Sequence, residues 1–308
     1  ISALVILQKI MPSLYTMNSP LLDWCVLKQI NLCIEHGNPT TAIASYIYYP
    51  LIATSDINLS YEFGQLSLKL QEKYYIPSRE PVIIMIYYGH VWHKKHYLRN
   101  IEVQEQLINC FYKSRDLGNY EGAFYCFTVY SYLYFFGGYS LENFRQKGEE
   151  YLSLISKFQI EHFTNYQYVW NQIVNNLINE QKDFTLIGDS LSVEASYLDY
   201  WSENNFKRLL FLTYFAKLFL LYFFKQYHDC IDYSIKTKKA IFVEQHNFYS
   251  SLTFLANYHN SDPIKQKEFL EEVNKNQEKM KMWIENCREN YQHKYDLVEA
   301  EKAKILGQ

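Results

Sequence analysis

Apolar residues recur along most of the chain at the three- and four-residue spacing of an amphipathic α-helix. The segment 21–36 shows this pattern as one stripe, made by Leu21, Leu22, Val26, Leu27, Ile30 and Ile34. Gly37 and Pro39 end the segment, because proline cannot continue the helical hydrogen-bond ladder. The same reasoning predicts helices over 21–36, 40–53, about 56–76, 81–98, 100–117, 120–136, 140–158, 162–180, about 193–205, 206–225, 228–240, 243–258, 263–287 and 292–306.

The segment 113–130 carries the clearest helical hairpin in the sequence. A helix ends at a tight turn over Gly118 and Asn119, and a second helix starts near Tyr120 with a small residue at Ala123 and an aromatic residue at Phe127. Two antiparallel helices pack closely only where the contact side chain is small, so this spacing predicts a tetratricopeptide-like hairpin. The spacing recurs, with variable hairpin lengths, at Ala42 and Tyr46, at Gly64 and Leu68, and around Cys230.

One such hairpin cannot bury its own apolar face, so the sequence predicts an all-α fold: a superhelical array of antiparallel helical hairpins. The composition agrees, because Tyr (30) and Phe (20) are common whereas Gly (10) and Pro (7) are too sparse for a turn-rich β fold. At 308 residues, 48% of them hydrophobic, the chain is long enough to bury a continuous core. We expect hairpin repeats over 1–185 that continue over 186–308 as a single solenoid, irregular at 186–205.

Charge and cysteine content exclude several classes of protein. The formal net charge is −3, from 30 Lys+Arg and 33 Asp+Glu, and no run of like charges is long enough to follow a phosphate backbone. Nucleic acid is therefore not an expected partner. The six cysteines have no C-x-x-C spacing and lie in apolar helical contexts, which predicts buried free thiols in a reducing compartment and not a disulfide or zinc framework.

The most apolar segment, 209–224, is a candidate membrane span. Its 16 residues are too few to cross a bilayer, and Lys217 in the middle makes insertion costly. A fully buried central helix is the better interpretation. No secretory signal is visible, and because the first residue is Ile1 we expect the natural start to be missing. These observations predict a cytoplasmic protein without a membrane span.

Four stretches carry a family resemblance beyond generic helical repeats. The runs 276–283 (NQEKMKMW) and 293–303 (HKYDLVEAEKA), the latter followed by Leu306-Gly307, and the runs 61–70 (YEFGQLSLKL) and 118–134 resemble the helical-repeat region of large bacterial signalling proteins. Those proteins combine a serine/threonine kinase, a STAND-type ATPase, a GAF domain and a sensor histidine kinase. The sequence departs from the family pattern at Arg288, where a helix-breaking proline is expected, and at Cys287, which replaces a smaller residue.

The resemblance implies that this chain is the helical segment between an upstream ATPase and downstream kinase modules. The sequence contains no G-x-x-x-x-G-K-[ST] phosphate loop, no kinase H-R-D or D-F-G motif and no histidine-kinase nucleotide box. We therefore expect a segment that is not itself an enzyme and has neither catalytic residues nor a cofactor. The kinase and ATPase activities would belong to the parent chain.

Two groups of polar residues suggest chemistry but have simpler interpretations. His90, His93 and His96 form H-x-x-H-x-x-H, which would place imidazoles one helical turn apart for a metal ion. No carboxylate or cysteine is positioned to complete the ligand set, so we expect ordinary surface or groove histidines and no metal site.

The acidic residues of 296–301, near His293, are candidates for acid/base chemistry. On a helix rich in Lys and Glu they more simply form a solvated face with i,i+3 and i,i+4 pairs.

Aromatic and amide side chains supply the candidate binding surface. The tyrosines of 125–134 recur at near-helical spacing, which is typical of a core, although some of them are expected to line a concave groove. Four residues of 168–175 share one helix face, and amide side chains in a repeat groove hold the extended backbone of a partner. The predicted binding residues are Tyr125, Tyr130, Tyr168, Asn171, Gln172 and Asn175. Alanine at both Asn171 and Asn175 is expected to weaken binding without lowering the melting temperature.

The sequence thus predicts a sensor and scaffold segment of a signalling kinase. An array in which each hairpin touches only its neighbours changes curvature when a ligand bridges repeats, and this change would be relayed to flanking domains. The expected partners are a protein or peptide, the flanking domains of the same chain, or a small-molecule inducer. The alternative is a free-standing tetratricopeptide-like adaptor that holds a protein partner. An enzyme with an unrecognised site comes third, and turnover of labelled ATP would support it.

Overall fold

The computed structural model describes residues 2–17, 19–53, 56–158, 160–180, 184–237 and 243–308. Throughout these ranges the regular secondary structure is helical and contains no strands, which confirms the predicted all-α class. The α-helices are α1 (Ser2–Thr16), α2 (Leu21–His36), α3 (Ile43–Ile47), α4 (Ile57–Tyr74), α5 (Glu80–Ile86), α6 (Ile101–Asp116), α7 (Tyr120–Phe136), α8 (Leu141–Ile155), α9 (Glu161–Asn179), α10 (Leu191–Glu203), α11 (Lys207–Phe223), α12 (Cys230–Lys236), α13 (Val243–Asn257), α14 (Pro263–Ile284) and α15 (Arg288–Ile305).

The helices form two compact units. Unit 1 is Ile1–Tyr139 and contains α1 to α7, and unit 2 is Ser140–Gln308 and contains α8 to α15. This boundary does not coincide with the division at 185/186 expected from the sequence. The expected division concerned the point at which the repeats become irregular, and it stays a prediction.

In unit 1 every helix packs against the next one along the chain. The odd-numbered helices also pack against one another, α1 on α3, α3 on α5 and α5 on α7. The hairpin predicted over 113–130 is formed by α6 and α7. Gly118 makes its turn with a φ of +72°, and Asn119 caps α7 by accepting a hydrogen bond from the Gly122 amide at 3.1 Å.

In unit 2, α11 occupies the centre and packs against α9, α10, α12 and α13. Its residues from Phe215 to Leu221 are all buried, as predicted for a central helix, whereas Phe223 is 58% exposed, so the predicted full burial of 209–224 is wrong at its C-terminal end. Alternate helices again touch, α9 on α11, α11 on α13 and α13 on α15. Over the described parts of the chain, none of the helices combines the length and apolar character needed to cross a membrane.

Three helix predictions differ from the structure. The helix expected over 81–98 ends at Ile86, where a π-helical turn (Tyr87–Val91) and a 3-10 turn follow. The helix expected over 40–53 is broken into 3-10 turns around the short α3, because Pro50 has no amide hydrogen to donate. The helix α1, which contains Pro12, was not predicted. Ser55 and Asp56 are both N-cap candidates from the sequence; Asp56 caps α4 by accepting a hydrogen bond from the Leu59 amide at 3.0 Å, and Ser55 lies outside the described residues, as does Ala240 at the end of the helix predicted over 228–240.

Candidate functional site

A cavity of about 260 Å³ lies in unit 1 between α1, α5 and the first turns of α7. We call it the Tyr125 cavity. Its apolar walls include Met11 and Pro12 from α1, Met85 from α5 and Tyr125 from α7. Met11 and Met85 are buried, whereas Tyr125 is half-buried.

Close contact between α5 and α7 shapes this wall of the cavity. A Cβ atom placed on Gly122 would come within 2.8 Å of the Pro81 Cβ, so only glycine allows the two helices to approach so closely. Pro81 sits in the first turn of α5, where its missing amide hydrogen costs no helical hydrogen bond. The cap from Asn119 then fixes the direction in which α7 leaves the turn.

The rim of the Tyr125 cavity is charged. Lys9, Arg79 and Glu121 line it, and none of the three forms an ion pair with another residue that the structure describes. Burial raises the pKa of Tyr48, on the cavity wall, to about 12, and the nearby positive charge of Arg79 opposes this rise. Two cations and one anion therefore surround an apolar opening.

A second polar group lies deeper in the wall. The Gln8 side chain is 2% exposed, and its Nε2 donates hydrogen bonds to the Thr41 carbonyl at 2.5 Å and to Ser45 Oγ at 3.0 Å. These bonds tie α1 to the segment that begins α3. The position of the α1 wall is thereby fixed relative to the rest of unit 1.

A separate cavity of about 360 Å³ lies beside the turn that follows α2. It is lined by Ala3, Leu4, Leu32, His36, Gly37, Asn38 and Pro39. Its lining contains no Phe, Tyr or Trp, and His36 with its neighbours is exposed. The Tyr125 cavity is therefore the stronger candidate, because aromatic walls with a few polar groups are typical of binding sites.

The predicted binding residues of 125–134 have different surroundings. Tyr125 lines the cavity. Tyr130 is 2% exposed, and its ring centroid lies 5.2 Å from those of Phe127 and Tyr134. Burial raises the Tyr130 pKa well above its ordinary value. Tyr130 is therefore part of the core, and binding by either tyrosine stays a prediction.

The other predicted binding residues lie on α9 in unit 2. Tyr168, Gln172 and Asn175 are half-buried, but Asn171 is only 5% exposed. Its Oδ1 accepts a hydrogen bond from Gln167 Nε2 at 2.8 Å and lies against Gly148 of α8. Asn171 therefore packs between helices. The binding role of this face stays a prediction, with Tyr168, Gln172 and Asn175 as the accessible members.

The histidine triplet does not converge on one point. His90 Nε2 lies 3.2 Å from the Tyr15 hydroxyl, and His96 Nε2 lies 2.9 Å from the Tyr61 hydroxyl. His93 is 3% exposed, so the expectation of a surface or groove position is wrong for this residue. In the described ranges, no group of three or more His, Cys, Asp or Glu side chains is placed to hold a metal ion.

The acidic run near the C-terminal end forms the predicted solvated face. Glu299 pairs with Lys302 at 3.8 Å, and Glu301 pairs with Lys304 at 3.1 Å, both at i,i+3 spacing. Asp296 is exposed and accepts a hydrogen bond from Gln292 at 2.8 Å. These contacts stabilise α15 and leave the carboxylates open to water.

A buried ion pair in unit 2 was not predicted. Lys217 Nζ lies 2.6 Å from Glu194 Oε2, and both side chains are 5% exposed. Lys217 also donates to the Phe184 carbonyl, and Glu194 Oε1 accepts a hydrogen bond from the Leu186 amide at 2.6 Å. The one available signal was a lysine inside a strongly apolar helix, since a buried charge needs a partner.

Comparison with known proteins gives one distant likeness. No family model matches the chain, and no solved structure matches it. The protein named Hybrid signal transduction histidine kinase G, from Dictyostelium discoideum, is 26% identical over 121 residues. The matched segment covers 37% of this chain. It spans only 3% of the relative's length.

This likeness agrees with the histidine-kinase part of the resemblance seen in the sequence. The STAND-type, serine/threonine-kinase and bacterial parts of that resemblance stay predictions. The tetratricopeptide-like arrangement also stays a prediction.

Proposed function

We propose that this chain is a non-catalytic helical scaffold of a signalling protein, and that its Tyr125 cavity anchors a segment of a protein partner. The observation that carries the proposal is an apolar cavity whose charged rim is not neutralised by ion pairs among the described residues. The distant likeness to a histidine kinase supports the signalling context. Kinase activity itself belongs to that relative.

The contacts between alternate helices support a hairpin array within each unit. In such arrays each repeat touches its neighbours, and one layer of helices forms an extended surface used for binding. The odd-numbered helices of unit 1 contact one another in sequence, and the walls of the Tyr125 cavity come from three of them, α1, α5 and α7. The cavity thus lies on one helical layer, as a partner-binding site of an array would.

The size of the cavity favours a side chain as its occupant. Small-molecule sites usually enclose about 300–1,000 Å³. At about 260 Å³, the Tyr125 cavity suits one or two anchoring side chains of a larger partner. Such anchors supply most of the binding energy at protein interfaces.

The charge at the rim favours an acidic neighbour for that anchor. Arg79 presents a planar group of donors that matches a carboxylate, and Lys9 adds a second positive charge. Glu121, in the first turn of α7, disfavours a second carboxylate near that helix. The expected partner motif is therefore an aromatic or aliphatic residue followed closely by Asp or Glu.

A random peptide library displayed on phage and selected on the reduced chain tests this proposal. We expect the selected peptides to share an apolar residue close to Asp or Glu. Arg79→Glu should weaken their binding about tenfold or more, because a hydrogen bond to a charged group contributes about 1.5–3 kcal/mol. Lys147→Glu, an exposed change of the same kind on α8, is the matched control. Equal loss in both variants, or unchanged affinity for Arg79→Glu, would contradict the proposal.

Non-catalytic behaviour has its own test. Incubation of the purified chain with labelled ATP should release no labelled phosphate above the rate in buffer. Turnover that survives repeated purification would show that the chain is an enzyme and would replace the scaffold proposal.

Relay to flanking domains is tested in the full-length protein. Arg79→Glu should change the response of a flanking domain to the partner, and it should leave the activity of that domain without the partner unchanged.

A further inference from the structure

Two cysteine sulfurs are in direct contact inside unit 1. Cys110 on α6 and Cys126 on α7 have Sγ atoms 3.5 Å apart, and their side chains are 2% and 0% exposed. The chain reverses at Gly118, so the two helices lie side by side and bring these positions together. We propose that this pair is a modification site, which a peroxide oxidises to a reversible intramolecular disulfide.

The hairpin geometry suits a disulfide with little rearrangement. A disulfide holds its sulfurs at about 2.05 Å, so the two sulfurs must approach by roughly 1.5 Å. The rings of Phe111 and Phe127, the residues that follow the two cysteines, already pack with centroids 5.8 Å apart. Rotation of the two thiol side chains, a small shift of the paired helices α6 and α7, or both would supply this approach.

The hydrogen bonds around the pair give the two thiols different roles. The Cys126 thiol donates to the Cys110 sulfur and also lies 3.8 Å from the Pro81 carbonyl. The bond received from Cys126 lowers the pKa of Cys110, although burial and the charge of Glu80 oppose this. Donating that bond, together with burial, raises the pKa of Cys126. Cys110 is therefore the thiol that reacts first, because the thiolate is the nucleophile.

The oxidation proceeds in two balanced steps. The Cys110 thiolate attacks one oxygen of hydrogen peroxide, the O–O bond breaks, and after protonation a water leaves, so that Cys110 becomes a sulfenic acid. The Cys126 sulfur then attacks the sulfenic sulfur, the S–O bond breaks, and the departing hydroxide takes the Cys126 proton and leaves as water. Two thiols and one peroxide thus give one disulfide and two waters.

The remaining cysteines have no such arrangement. Cys25 and Cys230 donate to backbone carbonyls, at 3.7 Å for Cys25 and at 3.3 and 3.9 Å for Cys230. Burial raises the pKa of both thiols and also those of Cys33 and Cys287. Among the described residues, no other cysteine sulfur hydrogen-bonds to a second sulfur. We therefore expect the Cys110–Cys126 pair to be oxidised selectively. The reaction needs no ligand in the Tyr125 cavity and is independent of the proposed function.

Peptide mapping of the native chain tests the proposal directly. The reduced 308-residue chain is exposed to hydrogen peroxide, free thiols are alkylated, and the protein is digested with trypsin. Cleavage after Lys113 and Arg115 places Cys110 in the peptide 100–113 and Cys126 in the peptide 116–145, so that only a disulfide can join them. We expect these peptides to be linked, two of the six thiols to be lost, and dithiothreitol to restore both.

Two variants sharpen the result. Cys126→Ser, whose hydroxyl keeps a donor beside the Cys110 sulfur, should abolish the linked peptides and leave Cys110 as a sulfenic acid that dimedone traps. Cys230→Ser, the same change at a buried cysteine in unit 2, is the matched control and should leave the linkage intact. If Cys126→Ser does not fold, the wild-type map still decides. Alkylation of both Cys110 and Cys126 after oxidation of the other thiols, or pairing of Cys110 with a second chain, would overturn the proposal.

Discussion

The buried ion pair between Glu194 and Lys217 gives the sharpest stability prediction. It joins α10 to the central helix α11, and through the Phe184 carbonyl and the Leu186 amide it also holds the segment that precedes α10. Both side chains are 5% exposed, so water cannot replace a lost partner. Removing one member leaves the other uncompensated in the core, which costs about 3–5 kcal/mol.

The perturbation is a double-mutant cycle with Glu194→Gln and Lys217→Met. Glutamine keeps an acceptor for the Leu186 amide, and methionine keeps the volume of the lysine stem in the apolar surroundings of α11. Each single variant should lose about 3–5 kcal/mol of unfolding free energy, equivalent to a fall in melting temperature on the order of 10 °C. The double variant should lose at least about 1.5 kcal/mol less than the two single losses combined, because neither charge is then left alone.

Urea denaturation at equilibrium, followed by far-ultraviolet circular dichroism, measures these changes. The control cycle uses Glu278→Gln and Lys281→Met, an exposed i,i+3 pair at 3.0 Å, for which each change should cost less than about 0.5 kcal/mol. Additive losses at Glu194 and Lys217, within about 0.5 kcal/mol, would show that the two groups do not interact and would refute the reasoning.

Further predictions concern packing on α9 and the titration of α15. Gly148→Ala should destabilise the chain by about 1–3 kcal/mol, because the added Cβ would lie 2.2 Å from Asn171 Oδ1; unchanged urea unfolding would show that α8 and α9 can separate at no cost. Asn171→Ala should lower the melting temperature, since it removes the buried hydrogen bond that Asn171 accepts from Gln167, whereas Asn175→Ala should change it little; equal melting temperatures in thermal scans would contradict the buried position. Burial lowers the pKa of Lys294 from 10.5 to about 8, so the unfolded chain binds more protons between these values and stability should rise as pH rises through them. Lys294→Met should therefore be more stable than the native chain by about 3 kcal/mol well below pH 8 and equal to it above pH 10.5. A difference independent of pH in urea titrations would exclude the lysine as the cause.

The packing around Asn171 changes one sequence-based expectation. Sequence spacing places Tyr168, Asn171, Gln172 and Asn175 on one helix face, and it predicts that alanine at Asn171 leaves the melting temperature unaffected. Only the structure shows that α8 approaches α9 at Gly148 and covers Asn171. Spacing along one helix fixes which residues share a face, but it does not say which part of that face the neighbouring helix covers.

Local signals determined most helix ends. Gly37 ends α2, Gly118 and Asn119 make the turn between α6 and α7, and Asp262 caps α14 by accepting hydrogen bonds from the Ile264 and Lys265 amides at 3.0 Å. These interactions involve residues two to four positions apart, so they are written in the sequence itself. The all-α class follows from the same local periodicity.

The break after Ile86 shows where local reasoning fails. Apolar residues continue past this point, so the pattern predicts one helix, yet Gly89 lies against Val129 of α7, where a Cβ would come within 2.9 Å. Tyr87 likewise packs over Gly64 of α4, where a Cβ would come within 2.7 Å. Contacts with helices distant in sequence coincide with the π-helical turn, and such contacts leave no periodic signal.

The sequence by itself thus determined that the chain is helical, where most helices start and stop, and that Lys217 lies in an apolar segment. Tertiary structure alone decided that Lys217 meets Glu194, that Cys110 meets Cys126, and that α1, α5 and α7 enclose a cavity at Tyr125. The physical reason is the separation along the sequence over which each interaction acts. Caps and turns act between neighbours along the chain, whereas ion pairs, thiol contacts and cavities depend on which helices pack together and at what distance.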